Sequence, residues 1–183
     1  MRIISGEARG RTLYAPQGAE TRPTSDKLRG SIFNILGPRV IDARVLDLFG
    51  GTGALALEAL SRGAAEAVIA DVSRQALQCI ERNARSVLKE DFDARVRILR
   101  ADYRAAIEKA PGPFDLVFLD PPYRMAEAYG DALARLLSAG KLSAGCVAVL
   151  ERARAVEIVL PEGMARHDLR LYGDTAVEFA HLA

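Results

Sequence analysis

Asp120-Pro121-Pro122-Tyr123 is the segment of this 183-residue chain whose residue types most plainly could do chemistry. It follows Leu116-Val117-Phe118-Leu119, a short branched apolar run that reads as a buried strand, and the double proline must end that strand. A carboxylate, a rigid turn and an aromatic ring are thereby presented together. The prolines fix φ and remove two backbone donors, which leaves the carbonyls of Asp120 and Pro121 to act as acceptors. A carboxylate and carbonyls can grip an –NH2 group, and the ring of Tyr123 can stack on a flat partner. The expected chemistry is recognition of a planar molecule that carries an exocyclic amine.

A second group, Asp47 with Gly50-Gly51-Thr52-Gly53, suits a nucleoside. Glycines let backbone approach a ligand with no Cβ in the way. The turn lacks the full dinucleotide spacing and has no Lys-Ser/Thr pair, so neither a dinucleotide fingerprint nor a phosphate-binding loop is matched. Asp47 would repel a pyrophosphate but suits a cationic or amino group, which favours an amino-acid-bearing nucleoside. Asp71 lies about twenty residues past the turn, the offset at which an acid contacts ribose hydroxyls. Asp102 could reach an adenine amine. Either acid alone reads more simply as a helix cap; what carries weight is the series Asp47, Asp71, Asp102 and Asp120.

The elements that must position these groups follow from the apolar pattern. Val45-Leu46-Asp47-Leu48-Phe49, Ala67-Val68-Ile69-Ala70, Val96-Arg97-Ile98-Leu99 and Cys146-Val147-Ala148-Val149-Leu150 read as further buried strands. Helices are expected over 54–60, over 74–88 with Ala76, Leu77, Ile80 and Ala84 on one face, and over 126–137. Ser25 or Thr24 caps an earlier helix that Gly37-Pro38 stops after Leu36. Residues 1–20 read as a small β segment with turns at Ser5-Gly6 and Pro16-Gln17-Gly18, and 166–172 with 176–179 as a hairpin about Gly173-Asp174. The fold class expected is α/β: a mostly parallel sheet flanked by helices, with a C-terminal antiparallel hairpin and a small N-terminal β/α extension. One such sheet would bring all four acids to its carboxyl edge, where ligands bind.

Half of the residues are hydrophobic, ample for one core, and no apolar run approaches a membrane span. Met1-Arg2 leads into a short strand pattern, not a signal peptide. Cys79 and Cys146 sit in apolar contexts without metal-ligand spacing and read as buried free thiols of a reducing, cytoplasmic compartment. His167 and His181 lie away from every motif and read as packing or surface residues. The net charge is only +1, but residues 1–44 hold eight basic and four acidic residues, a local +4 that leaves −3 elsewhere. A basic patch on an acidic molecule can track a phosphate backbone.

With these motifs in hand, the chain resembles the class I S-adenosylmethionine-dependent methyltransferases that act on amino groups, through Asp47-Leu48-Phe49-Gly50-Gly51-Thr52-Gly53, Asp71, Asp102 and Asp120-Pro121-Pro122-Tyr123. Arg2-Ile3-Ile4-Ser5-Gly6 with Arg9-Gly10-Arg11, the segment Arg22-Pro23-Thr24-Ser25-Asp26-Lys27-Leu28-Arg29 with Phe33-Asn34, and Tyr172-Gly173-Asp174-Thr175 narrow it to the RsmD family, whose members methylate a guanine N2 amine of 16S ribosomal RNA. The chain departs from the family pattern at Glu7-Ala8, where relatives tend to carry a basic residue and an aromatic, at Ala180 in place of an aromatic, and at Asp71 in place of a glutamate.

The resemblance implies S-adenosylmethionine as cofactor, held by Asp47, Phe49, Gly51, Gly53, Asp71 and Asp102, and catalysis by Asp120, Pro121 and Tyr123. It implies a 16S rRNA partner, met within an assembling small ribosomal subunit and touched by Arg9, Arg11, Arg22, Lys27 and Arg29. The division expected is an RNA-contacting extension over 1–40 and a cofactor-binding core over 41–183, acting as a monomer without metal or membrane. The alternatives are an enzyme acting on adenine N6 of DNA or on a protein glutamine, which use a related turn, or a protein that binds without catalysis.

Overall fold

A computed structural model of the chain describes residues 1–15 and 25–183. Helix α1 (Asp26–Leu36) leads into strand β1 (Arg44–Asp47), followed by α2 (Ala54–Ser61), β2 (Glu66–Asp71), α3 (Arg74–Leu88), the short α4 (Phe92–Arg95) and β3 (Val96–Arg100). Then come α5 (Tyr103–Lys109), β4 (Phe114–Leu119), α6 (Ala128–Ser138), β5 (Leu142–Ala153), β6 (Met164–Tyr172) and β7 (Thr175–Leu182). The seven strands form one sheet in the order β3-β2-β1-β4-β5-β7-β6. The first five run parallel, and β7 pairs antiparallel with both β5 and β6. The expected α/β class and its closing hairpin are thus both present.

Local chemistry explains the boundaries. The Ser25 side chain accepts from the Leu28 N–H at 3.1 Å and starts α1, and Gly37 ends it at φ +54°. α3 spans the 15 residues that the periodicity marks, capped by Ser73; Cys79, Ile80, Asn83, Ala84, Val87 and Leu88 form its buried stripe. α6 starts at Ala128, two residues later than the pattern suggests, because a 3-10 turn occupies Tyr123–Met125. Alternation along the strands sends Val45, Leu116, Phe118, Val147, Val149, Val177 and Phe179 to a core shared with α1 and α2, and Leu46, Val117, Leu119, Ala148 and Leu150 to a second core under α5 and α6.

Residues 1–15 are not the β segment that their pattern suggests. A single bridge joins Arg2 to Thr12, flanked by Ile3–Arg11, Gly10–Ile3 and Leu13–Met1 backbone bonds, and the donors of Ile4, Ser5, Glu7 and Ala8 turn to α2 instead. The N–H groups of Ile4 and Ser5 donate to the Glu58 carboxylate at 2.8 and 3.0 Å, and that of Ala8 to the Ser61 hydroxyl at 3.0 Å. Gly6 permits this wrap: its φ is +85°, and a Cβ there would lie 1.7 Å from the Ser61 carbonyl oxygen. Ile3, Leu13, Leu28, Ile32, Phe33 and Leu36 belong to the same core cluster as α2 and β1. The turn expected at Pro16-Gln17-Gly18 lies outside the described residues.

Cys79 and Cys146 are buried free thiols, as expected. His167 and His181 pack edge to face at 5.5 Å on the β6–β7 hairpin, away from the acids. No helix of the described residues is long and apolar enough to cross a membrane.

Candidate active site

The chain leaves β1 toward β2 on one side and later returns as β4 on the other, so the gap above β1 is the switch point of the sheet. Register makes that gap a notch. Asp47, the last residue of β1, lies level with Ile69 of β2 and Phe118 of β4. Asp71 and Asp120 therefore each stand two residues, about 6.6 Å, beyond Asp47 on its two sides. The glycine turn fills the space between them. Three of the four acids are thus gathered as the alternating pattern requires, with Asp102 two residues past β3.

Each glycine has its own reason. At Gly50 a Cβ would lie 2.5 Å from Ile69 and 2.9 Å from Ile80, so packing forbids one. Gly51 and Gly53 have φ of +55° and +78°, the left-handed region, and Gly53 caps α2. Beside Gly51 the nearest atom to such a Cβ would be the Phe49 carbonyl oxygen at 4.0 Å, so this backbone borders open space.

Asp71 accepts from the Gly51 N–H at 2.9 Å and the Ser73 N–H at 2.8 Å, and so ties the glycine turn to the start of α3. Each carboxylate oxygen retains lone-pair capacity for a hydroxyl. Asp102 is exposed and caps α5, accepting from the Ala105 N–H at 2.9 Å. Phe49 is half-buried with its ring 5.7 Å from that of Tyr103. Tyr103 in turn donates to Asp131 at 2.7 Å, and burial followed by this bond pushes its hydroxyl up to about 12, so it stays neutral.

Asp47 is the most constrained acid. It is 3 % exposed and is met only by backbone, the Phe49 N–H at 3.3 Å and more weakly that of Ala56, among the described residues. Burial, and secondarily the charge of Asp71, raises it to about 7. Asp120, half-buried, is pushed well above the usual carboxylate range by burial first, then by the charges of Glu151 and Asp47. No cation among the described residues pairs with either acid. Among those residues nothing donates to the Pro121 carbonyl either, whereas Pro122 accepts from the Met125 N–H at 2.8 Å. The ring of Tyr123 lies outside the described parts of the structure.

Glu151 is a site residue that the motifs did not mark. Leu119 and Leu150 are register partners on adjacent parallel strands, so Asp120 and Glu151 follow side by side. Alternation turns both toward the face that Asp47 also meets. The only available sequence signal is a charge at the end of an otherwise apolar strand. Tyr129 anchors that strand end by donating to the Glu151 carbonyl.

Arg29 requires a correction. Expected at the RNA surface, it is fully buried; it pairs with Asp26 at 2.9 Å and Glu58 at 3.5 Å and donates to the Arg2 carbonyl. It is an internal strut between α1, α2 and the N-terminal turn and cannot meet a phosphate. Arg9, Arg11 and Lys27 are exposed, and Arg22 lies outside the described residues.

A ligand suited to this notch carries positive charge to relieve Asp47 and hydroxyls for Asp71, which is the donor set of S-adenosylmethionine. Comparison with known proteins agrees. A family described as conserved hypothetical protein 95 matches residues 1–181. The ribosomal RNA small subunit methyltransferase D of Escherichia coli K12 is 40% identical over 124 residues, which span 68% of this chain and 61% of that protein. A hypothetical protein of Thermus thermophilus, of solved structure, superposes with a TM-score of 0.80 at 30% identity over 100% of this chain and 99% of its own. The SAH-bound Podospora anserina methyltransferase PaMTH1 shares the fold, with a TM-score of 0.66 at 17% identity over 87% of this chain and 80% of its own. Its motifs, its notch and these relatives together make the chain a member of the RsmD family of class I S-adenosylmethionine-dependent methyltransferases.

Proposed function

We propose that this protein methylates the exocyclic N2 amine of a guanine in 16S ribosomal RNA, acting in the cytoplasm as a monomer on an assembling small ribosomal subunit. The observation that carries the reading is the Asp120 carboxylate beside the Pro121 carbonyl, two acceptors for which the described residues supply no donor, at the switch point of the sheet. The rRNA substrate is supported by the name of the Escherichia coli relative. The amine is supported by the acceptor pair, which can hold two N–H groups at once.

When bound, S-adenosylmethionine supplies an electrophilic methyl group on a sulfonium. Asp47 would hold its amino-acid part, Asp71 its ribose hydroxyls, Asp102 its adenine amine, and the backbone at Gly51 and Gly53 would run beside it, with Phe49 as a wall. The guanine must leave its stack to reach the notch. Tyr123 would stack on it there. The N2 lone pair is delocalised into the ring and is a poor nucleophile. Asp120 and the Pro121 carbonyl, accepting both N2 protons, would turn that lone pair toward the methyl carbon. The nitrogen gains a bond and a positive charge while the sulfonium takes back the electron pair of the bond it loses. Negative charge at Asp120 stabilises that transient cation. The raised affinity of Asp120 for a proton then suits it to take the one that the methylated nitrogen releases. Residues 1–40 would contact the RNA through Arg9, Arg11, Lys27 and Arg22, on a catalytic core of 41–183.

Incubation with methyl-labelled S-adenosylmethionine and small ribosomal subunits lacking this modification tests the proposal. Label should enter 16S rRNA as N2-methylguanine. Asp120→Ala should keep cofactor affinity yet lose about a hundredfold or more in turnover, as for other contacts made to transition-state charge. No label in RNA, with cofactor binding intact, would reject the substrate; near-normal turnover by the variant would reject the role of Asp120.

A further inference from the structure

The N-terminal turn and α3 enclose a shallow polar groove of about 530 Å³, lined by Glu7, Ala8, Arg9, Gly10, Arg11, Thr12 and, from α3, Ser86. The backbone of the turn cannot hold an anion there. Its N–H groups are spent: Glu7 on Ser61, Arg9 on Gly6, Gly10 on Ile3 and Arg11 on Ala8. Recognition would fall to side chains. One helical turn from Ser86 along the same face stands Arg82, exposed, with its guanidinium 4.2 Å from the centre of the Tyr14 ring. Tyr14 is itself 44% exposed. None of Arg9, Arg11 and Arg82 has a carboxylate partner among the described residues, and Glu7 is the single acid of the groove. By contrast, Arg85 on the same helix is committed to Glu81 at 3.0 Å.

A buried clamp fixes this surface to the cofactor notch. Asn83, 2 % exposed, accepts from the Tyr14 N–H at 2.8 Å and donates to the Tyr14 carbonyl at 2.9 Å. The same amide nitrogen donates to the carbonyl of Thr52, inside the glycine turn, at 2.9 Å. The Cys79 thiol adds a further bond to the Tyr14 carbonyl at 3.1 Å. Ser86 lies three residues, about 4.5 Å of helix rise, from Asn83. Groove, stacked pair and glycine turn therefore form one rigid stretch of surface.

We infer that the stacked Tyr14–Arg82 pair, continuing the Arg9–Arg11 groove across α3, is a second RNA-contacting platform that receives a strand flanking the target base, and that Asn83 positions it against the glycine turn. The inference rests on the proposed RNA substrate. A guanidinium already stacked on a ring can meet a phosphate without losing much side-chain freedom, and the outer faces of the pair can take a splayed base. This platform places RNA affinity on α3 as well as on residues 1–40.

The test uses the intact protein with small ribosomal subunits as methyl acceptor and naked 16S rRNA as binding probe. Combined Tyr14→Ala and Arg82→Ala should raise KM for subunits about tenfold with kcat little changed and S-adenosylmethionine affinity unaltered. Arg82→Ala alone should lower the salt slope of rRNA binding by about one, and adding Arg9→Ala and Arg11→Ala should lower it further. Arg82→Lys should keep the slope yet lose part of the affinity, a split that a purely structural Arg82 would not produce. Unchanged KM and slope in the folded Arg82→Ala protein would overturn the platform while leaving the enzyme reading intact. A wild-type protein that neither binds nor methylates rRNA would instead remove the reading beneath it.

Discussion

Two buried carboxylates, Glu58 on α2 and Asp47 at the end of β1, occupy the same core face of the sheet and are treated oppositely. Glu58 is fully buried and saturated: it accepts from the Ile4 and Ser5 N–H groups and pairs with Arg62 at 2.7 Å and Arg29 at 3.5 Å. Asp47 is met by the backbone of Phe49 and Ala56, by no cation among the described residues and by two carboxylate neighbours, Asp71 and Asp120, and burial raises it to about 7. The sheet hairpin repeats the first pattern, with Glu178 of β7 between Arg152 at 3.3 Å and Arg166 at 2.8 Å. Where a carboxylate holds the fold together, the chain supplies its counter-ions. At the candidate site no such counter-ion stands among the described residues, which fits the proposed role of Asp47 in meeting the positive charge of a ligand.

The largest effect expected from this contrast is on stability. Glu58→Ala would take from the fully buried Arg29 one of its two carboxylate partners, leaving Asp26, and would remove the partner of Arg62 and release the N-terminal wrap from α2. Breaking a buried pair by removing one partner typically costs about 3–5 kcal/mol. Urea unfolding should show a loss of that order. A loss under about 1 kcal/mol would mean that Glu58 is no more than a tolerated charge and that the contrast with Asp47 is empty.

Asp47→Asn should do the reverse. The folded pKa of Asp47 is raised above its unfolded value, so its favourable contribution is complete below about pH 4 and is lost as pH rises to about 7. Above that, keeping the carboxylate ionised in the apo protein costs up to ~4 kcal/mol. The asparagine variant should therefore match the wild type near pH 4 and be more stable near pH 8, while binding S-adenosylmethionine much more weakly. Unfolding at the two pH values, with calorimetric titration of the cofactor, reads both. A variant that loses stability at pH 8 would show that Asp47 has a structural counter-charge after all.

The same contrast explains what could be read from the chain beforehand. α3, the stop of α1 at Gly37-Pro38, the hairpin about Gly173-Asp174 and the acid-tipped strand ends are all written locally, in periodicity, caps and turn residues. The acids at strand ends were legible because strand and turn residues place them locally, although what surrounds them, such as Glu151 beside Asp120, was not. Arg29 was not, because the charge that buries it sits on Glu58, 29 residues away, and next to Lys27 it reads as one more surface cation. The N-terminal β segment is cut to one bridge for a related reason: Glu58 and Ser61 take the backbone donors of Ile4, Ser5 and Ala8. β5 runs 12 residues, past its apolar stretch at both ends: Leu142 pairs with Phe114 of β4, and β7 pairs with Glu151, Arg152 and Ala153 regardless of their polarity. That pairing is also what carries Glu151 to the edge of the site.

Glu151 offers the finest test of the comparison, through pH and not through loss of activity. In the proposed mechanism Asp120 must be ionised to stabilise the transient cation and take its proton, and its folded pKa is raised, so kcat/KM for methyl transfer should climb as pH rises through that pKa. Glu151 contributes the larger of the two neighbouring charges that raise it, and Asp47 the smaller; burial contributes most. Glu151→Gln keeps the size and the strand pairing but removes one like charge. Asp120 should then ionise more easily, and the acid limb of the profile should move to lower pH. On the acid limb the variant would be faster than the wild type, and on the plateau above it the two would be similar or the variant slower, since a weaker base takes the released proton less readily. A limb that stays in place would detach Glu151 from Asp120 and leave burial as the whole cause. A limb that moves to higher pH would mean that Glu151 shares a proton with Asp120 and stabilises its ionised form, which would place Glu151 among the groups that hold the amine.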